Sequence, residues 1–169
     1  MFVASKHGHY DVVKCLLSYG ADINLRDEGG RSPLFAASHY GHCDVVKCLL
    51  SSDADINLCD EDGQSSLCAA SKRGYCDVVK CFLSAGTDIN VLNKQGQSPL
   101  CVASKRGHCD VVKCLLSSDA DINLGDEGGQ SPLFVASQRE HCAIVKCLLS
   151  SGADINVRNK QGRSPLFVA

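Results

Sequence analysis

Along residues 31 to 63 the apolar positions fall in two short bursts. Pro33-Leu-Phe-Ala-Ala37 follows a serine, and Val45-Val46 with Cys48-Leu-Leu50 follows Cys43 and is interrupted by Asp44 and Lys47. Ser32 is a residue type that caps a helix and Pro33 suits the first helical position, so the first burst predicts a short helix closed by the left-handed residue Gly41. The second predicts a helix over about Cys43 to Ser51, with Val45, Val46, Cys48, Leu49 and Leu50 toward a core and Asp44 and Lys47 toward water. Gly20, Asp53, Gly86, Asp119 and Gly152 break this second helix, all residue types that tolerate positive φ. An extended Asp-Ile-Asn-Leu stretch should follow. It leads into Asp27-Glu-Gly-Gly30 or Asn93-Lys-Gln-Gly96, which match a type I turn with Asp or Asn first and Gly fourth.

This pattern recurs every 33 residues: Lys-Cys returns at Cys15, Cys48, Cys81, Cys114 and Cys147, and Asp-Ile-Asn ends at Asn24, Asn57, Asn90, Asn123 and Asn156. Complete copies span 31–63, 64–96, 97–129 and 130–162, with a partial copy at 1–30 and the start of another at 163–169. No linker is left over, so one repeat domain over 1–169 is expected. Each helix is about two turns long and cannot bury its apolar stripe alone. Side-by-side stacking solves this and predicts a solenoid held by nearest-neighbour interfaces.

The unit resembles the ankyrin repeat: Ser32-Pro-Leu-Phe-Ala-Ala37, Gly41-His42, Val45-Val46, Leu49-Leu50 and Gly152-Ala-Asp-Ile-Asn156 sit where that family has its signatures. The resemblance implies an all-α ankyrin-repeat solenoid of stacked helix-turn-helix units with projecting β-turn fingers. Serine stands for the family's threonine, and Phe2, Phe35, Cys68, Cys101, Phe134 and Phe167 stand for its histidine, so packing must replace that residue's hydrogen bonds. Ser66 replaces proline and Glu140 replaces the helix-ending glycine, which makes the third and fifth copies locally weaker. The array enters mid-motif at Met1, as expected of a piece of a longer array, and Ser164 to Ala169 should fray when the piece stands alone.

By the same resemblance the chain is a non-catalytic protein-interaction module. The family's groove positions fall on Lys6, His7, Arg26, Glu28, Arg31, His39, Tyr40, Cys59, Glu61, Asp62, Gln64, Lys72, Arg73, Leu92, Lys94, Gln95, Gln97, Lys105, Arg106, Glu127, Gln130, Gln138, Arg139, Arg158 and Lys160. These are also where the copies differ most, as expected of variable recognition residues on a rigid frame. Asn24, Asn57, Asn90, Asn123 and Asn156 match a position hydroxylated in some ankyrin repeats, although their nearer role is to bond the loop backbone.

Composition and charge narrow the partners. The chain has 169 residues, is 44% hydrophobic and 21% charged, and carries a formal net charge of -2. That charge gives no global attraction for nucleic acid or an anionic membrane. No apolar run approaches the roughly 18 residues of a membrane span, and the start lacks a signal peptide's apolar core. A monomer in the cytosol, with the nucleus as the alternative, is expected. Lys72, Arg73, Lys105 and Arg106 are expected to lie side by side as a basic floor for an acidic or phosphorylated partner segment, with Tyr40 and Leu92 as apolar anchors. Neutralisation of neighbouring acidic turns is the alternative role for that floor.

Twelve cysteines in a chain of this kind should be thiols or ligands. Cys43 and Cys48, five apart on one helix, point about 140° apart. Cys48 and Cys81, one repeat apart, are about 8–10 Å apart by helix spacing. The expected role is that of small buried hydrophobes. His39, His42 and Cys43 are the nearest approach to a zinc set, yet no Cys-x2-Cys pair supports it, and Tyr75 fills the slot of His42 in the next copy. No nucleophile elbow, phosphate loop or metalloprotease motif occurs, so neither metal, cofactor nor catalysis is expected. The competing readings are a Cys/His metal or redox sensor and a purely structural spacer.

Overall fold

The computed structural model describes residues 1–167, and the chain falls into two compact units, Met1–Thr87 and Asp88–Ala169. The first holds α1 (Phe2–Lys6), α2 (Tyr10–Ser18), α3 (Pro33–Tyr40), α4 (Cys43–Ser51), α5 (Ser66–Arg73) and α6 (Cys76–Ser84). The second holds α7 (Pro99–Arg106), α8 (Cys109–Leu116), α9 (Pro132–Gln138), α10 (Cys142–Ser150) and a 3-10 turn at Pro165–Phe167. Among the described residues no strand forms, and Cys59 and Ser65 make an isolated antiparallel bridge.

Each first helix begins as its sequence dictates. The Ser32 hydroxyl accepts from the Phe35 N–H at 3.1 Å, and Ser65, Ser98 and Ser131 repeat the bond at the heads of α5, α7 and α9. Three of these four helices also carry proline in the first turn. In α5 that place is taken by Ser66, whose buried hydroxyl has no partner. Gly41 closes α3 at φ 80°. A Cβ there would lie 2.7 Å from the Tyr75 ring of the next copy, so glycine is required by conformation and by contact together. Glu140 holds the equivalent conformation at φ 58° despite its side chain, and α9 ends one residue early.

In both units first helices stack on first helices and second helices on second helices, with each pair closed on itself. With α1 on one side and α5 on the other, α3 is surrounded, and Pro33 through Ser38 are all buried. Leu34, Leu67, Leu100 and Leu133 each keep 1% of their surface, and Phe35, Cys68, Cys101 and Phe134 fill the positions where the family has histidine. The second helices bury one arc: in α4 this is Val45, Val46 and Leu49, which fall within about 100° on a helical wheel. Cys48 and Leu50 flank that arc and are half-exposed, so they do not join the core as the sequence pattern suggested.

The loops also depart from the expected extended stretch. Asp55 Oδ1 accepts from the Asn57 N–H at 2.9 Å, and Asp22, Asp88, Asp121 and Asp154 do the same for the asparagine two residues on. A local side-chain bond to the backbone bends the chain into a tight turn. The finger turns match expectation, with Gly30 N–H to Asp27 C=O and Gly96 N–H to Asn93 C=O both at 2.9 Å. Of the segment expected to fray, Pro165 is buried while Leu166 and Phe167 are exposed, and Val168 and Ala169 lie outside the described residues.

Candidate interaction site

In the first unit the ends of α1, α3 and α5 carry Lys6-His7, His39-Tyr40 and Lys72-Arg73. The Lys6 ammonium sits 5.6 Å from the centre of the Tyr40 ring, a cation–π distance. The His39 ring meets Tyr40 edge-on at 5.0 Å and stacks on Phe35. The Arg73 guanidinium donates to His39 Nε2 at 2.6 Å, which fixes the histidine proton on Nδ1, a buried atom with no partner. Burial, followed by the charges of Arg73, Lys72 and Arg31, depresses the His39 pKa, opposed weakly by Asp60. His39 is accordingly a neutral acceptor at neutral pH, and Tyr40 stands exposed beside it.

The fingers of this unit are more internally committed than the sequence suggested. Asp27 Oδ1 accepts from Gly29 N–H and Arg31 N–H, while its other oxygen takes both Arg31 guanidinium donors at 3.0 and 2.6 Å. The bidentate bond from Arg31 holds the Asp27 carboxyl below its usual range and raises the Arg31 pKa. Arg26 donates to Gly30 C=O and to Cys59 C=O of the next finger. Glu61 N–H also bonds Gly29 C=O, at 3.1 Å. Gln64 is buried at 7% exposure, so it does not belong to an exposed surface: its backbone pairs with Asp60 and it leads into the cap of α5. Glu28, Glu61 and Asp62 are exposed and Cys59 is half-buried.

In the second unit Lys105-Arg106 end α7, and Gln138 with Arg139 end α9. Arg106, Gln138 and Arg139 are exposed, and Lys105 is half-buried. The fingers repeat the same geometry, with Asn93 Oδ1 accepting from Gln95 and Gln97, and Asp126 Oδ1 from Gly128 and Gln130. Glu127 N–H to Gln95 C=O and Lys160 N–H to Gly128 C=O join neighbouring fingers at 3.0 and 2.9 Å. Their exposed side chains are Leu92, Lys94, Gln95, Glu127, Arg158 and Lys160, with Gln97 and Gln130 half-buried.

The residues that first suggested chemistry are framework. His42 Nε2 bonds the Lys6 carbonyl of the preceding copy at 2.9 Å, and His141 bonds Lys105 C=O at 3.3 Å. With His39 on Arg73 and His42 on Lys6, the two do not converge. Among the described residues no group of three His, Cys, Asp or Glu could hold a metal ion. The asparagines do more than bond their own loop, since Asn24, Asn90 and Asn123 accept the N–H of Asp55, Asp121 and Asp154 in the next copy, at 2.9 to 3.0 Å.

All twelve cysteines are thiols, and here expectation and structure part. Cys68 and Cys101 are buried, and burial pushes the Cys68 thiol up to about 12. Cys15 and Cys142 are exposed and the other eight are half-exposed, Cys59 beside a finger turn and the other seven on second helices, which leave their flanks open. Cys43 Sγ and Cys81 Sγ lie 3.5 Å apart. The separation here is 38 residues, neither of the two weighed from the sequence, five or 33, because position one of a second helix faces position six of the next.

A family model described as ankyrin repeats, three copies, matches residues 1–91 and again 67–159. The serine/threonine-protein kinase VIK of Arabidopsis thaliana is 56% identical to this chain over 34 residues, which is 20% of the chain and 8% of the kinase. So short a match likens one repeat to one repeat. Among the described residues no helix is long and apolar enough to cross a membrane. Ankyrin repeats are generally protein–protein interaction modules and are typically non-catalytic. The overlapping matches run from residue 1 to 159, and this chain belongs to the ankyrin repeat family, whose paired helices both units display.

Proposed function

We propose that this chain is a non-catalytic adaptor or scaffold module that grips a protein partner through its finger turns and the ends of its first helices. One observation carries the reading: charge varies between copies at exposed positions, while the differing positions that every complete copy buries, such as Phe35, Cys68, Cys101 and Phe134, exchange only uncharged residues. Among the four complete copies the buried leucines 34, 67, 100 and 133 and alanines 37, 70, 103 and 136 do not change. The exposed helix-end position runs Tyr40, Arg73, Arg106, Arg139, and the finger position runs Glu28, Glu61, Lys94, Glu127, Lys160. The partner segment is acidic or phosphorylated, received by Lys72 and Arg73 in the first unit and Lys105 and Arg106 in the second, because guanidinium forks favour such oxyanions. The module acts as a monomer in the cytosol or nucleus, with no cofactor.

The test is binding to an arrayed set of acidic and phosphorylated peptides, with a variant carrying Glu at Lys72, Arg73, Lys105 and Arg106. Capture by the native chain should weaken with salt and vanish in the variant, whose circular dichroism should be unchanged. Equal binding by both at low salt would contradict the reading.

A further inference from the structure

We propose that Cys43 and Cys81 form a redox-active dithiol that reacts with small disulfides of the glutathione class and closes into a disulfide stapling α4 to α6. The inference stands apart from the partner-binding reading. It rests first on geometry. The two sulfurs are at van der Waals contact, 3.5 Å, between helices that already pack together, so the bond of about 2.05 Å needs only a small approach. Both thiols are partly exposed, and they line one open depression with Asp44, Lys47, Asp77 and Lys80, in which Lys80 pairs with Asp77 at 3.3 Å and the Lys47 ammonium suits a carboxylate of glutathione.

The pair is also asymmetric. Cys81 donates to the Asp77 carbonyl at 3.2 Å, and burial together with Cys43 raises its pKa to about 11. Cys81 is therefore the poorer entering nucleophile, and Cys43 attacks first. The Cys43 thiolate attacks one sulfur of glutathione disulfide, forming a mixed disulfide and releasing one glutathione thiolate, which takes up the proton that Cys43 lost. Cys81 then gives its proton to solvent and attacks Cys43 Sγ as the thiolate, and the expelled second glutathione thiolate takes a proton back. Overall two thiols are oxidised to one disulfide and one glutathione disulfide is reduced to two glutathiones. Excess glutathione reverses the sequence.

The 38-residue register recurs in the second unit, where burial and then the neighbouring Cys109 raise the Cys147 pKa. At the first such register the place of Cys43 is taken by Tyr10, which shares a surface depression with Cys48. A tyrosine is thus compatible with the stack at this position.

The experiment exposes the native, fully reduced full-length chain to graded ratios of oxidised to reduced glutathione. Acid quenching, alkylation and peptide mapping then identify the links. A Cys43–Cys81 peptide should appear without retained glutathione, before any change at buried Cys68. Cys81→Ser should trap glutathione on Cys43, Cys43→Tyr should leave Cys81 reduced, and Cys48→Ser should still form the link. The stapled chain should melt several degrees higher than the reduced one. Separate glutathione adducts on Cys43 and Cys81, links between chains alone, or a pair still reduced when exposed Cys15 is fully oxidised would overturn the proposal. If Cys43→Tyr fails to fold, the native chain and Cys81→Ser decide the matter by themselves.

Discussion

His39 shows how one side chain is set by several neighbours. Its Nε2 accepts from Arg73, and burial and nearby cations hold its pKa below the usual histidine value. The folded state therefore binds its proton less readily than the unfolded chain. The stability this contributes is fully present above the unfolded value of about 6.5 and is lost as pH falls from there to the depressed folded value. Urea midpoints of the native chain should accordingly drop between pH 7 and the acid side of that window, and His39→Gln should remove this part of the drop. An identical pH profile for both proteins would contradict it. At Glu140 the strain was legible in the sequence, because a non-glycine residue occupies a slot that needs positive φ, and the structure retains φ 58°. Glu140→Gly should stabilise by about 0.5–1 kcal/mol, measured by urea denaturation. The role of Arg26 was not legible. Its bond to the Cys59 carbonyl depends on where the next finger lies, and nothing in the local sequence encodes that.

At the scale of elements, the signals that act within a few residues were read correctly. The serine cap, proline in the first turn and left-handed glycine define α3, and α4 runs over Cys43–Ser51 as its polar and apolar spacing predicted. Ser98→Ala should cost about 1 kcal/mol by leaving the Cys101 N–H without its acceptor, a loss seen directly as a lower denaturation midpoint. The Asp-Ile-Asn stretch is not extended as its sequence suggests, because the aspartate carboxylate competes for backbone N–H groups, turning the loop so that Asn24, Asn90 and Asn123 reach the following copy. Cys48 and Leu50 stay half-exposed because a helix covered on one side buries a narrower arc than the run of apolar residues suggests.

For the whole molecule, the 33-residue period announced stacked helix pairs before any helix was drawn, since such short helices are stable only against copies of themselves. What the period did not reveal is the stagger between neighbouring second helices. That stagger brings Cys43 to Cys81, and it turns a recurring residue type into specific pairs. The repeat also carries two sets of lysines. Lys6, Lys72, Lys94, Lys105 and Lys160 lie at first-helix ends and fingers, whereas Lys14, Lys47, Lys80, Lys113 and Lys146 ride exposed on the second helices. Partner binding through the first set is the central claim. Amine-reactive footprinting, with and without a peptide captured from the acidic array, tests it most directly. Protection should fall on Lys72, Lys94, Lys105 and Lys160 while the second-helix lysines label as before, and protection confined to Lys14, Lys47, Lys80, Lys113 and Lys146 would contradict the account.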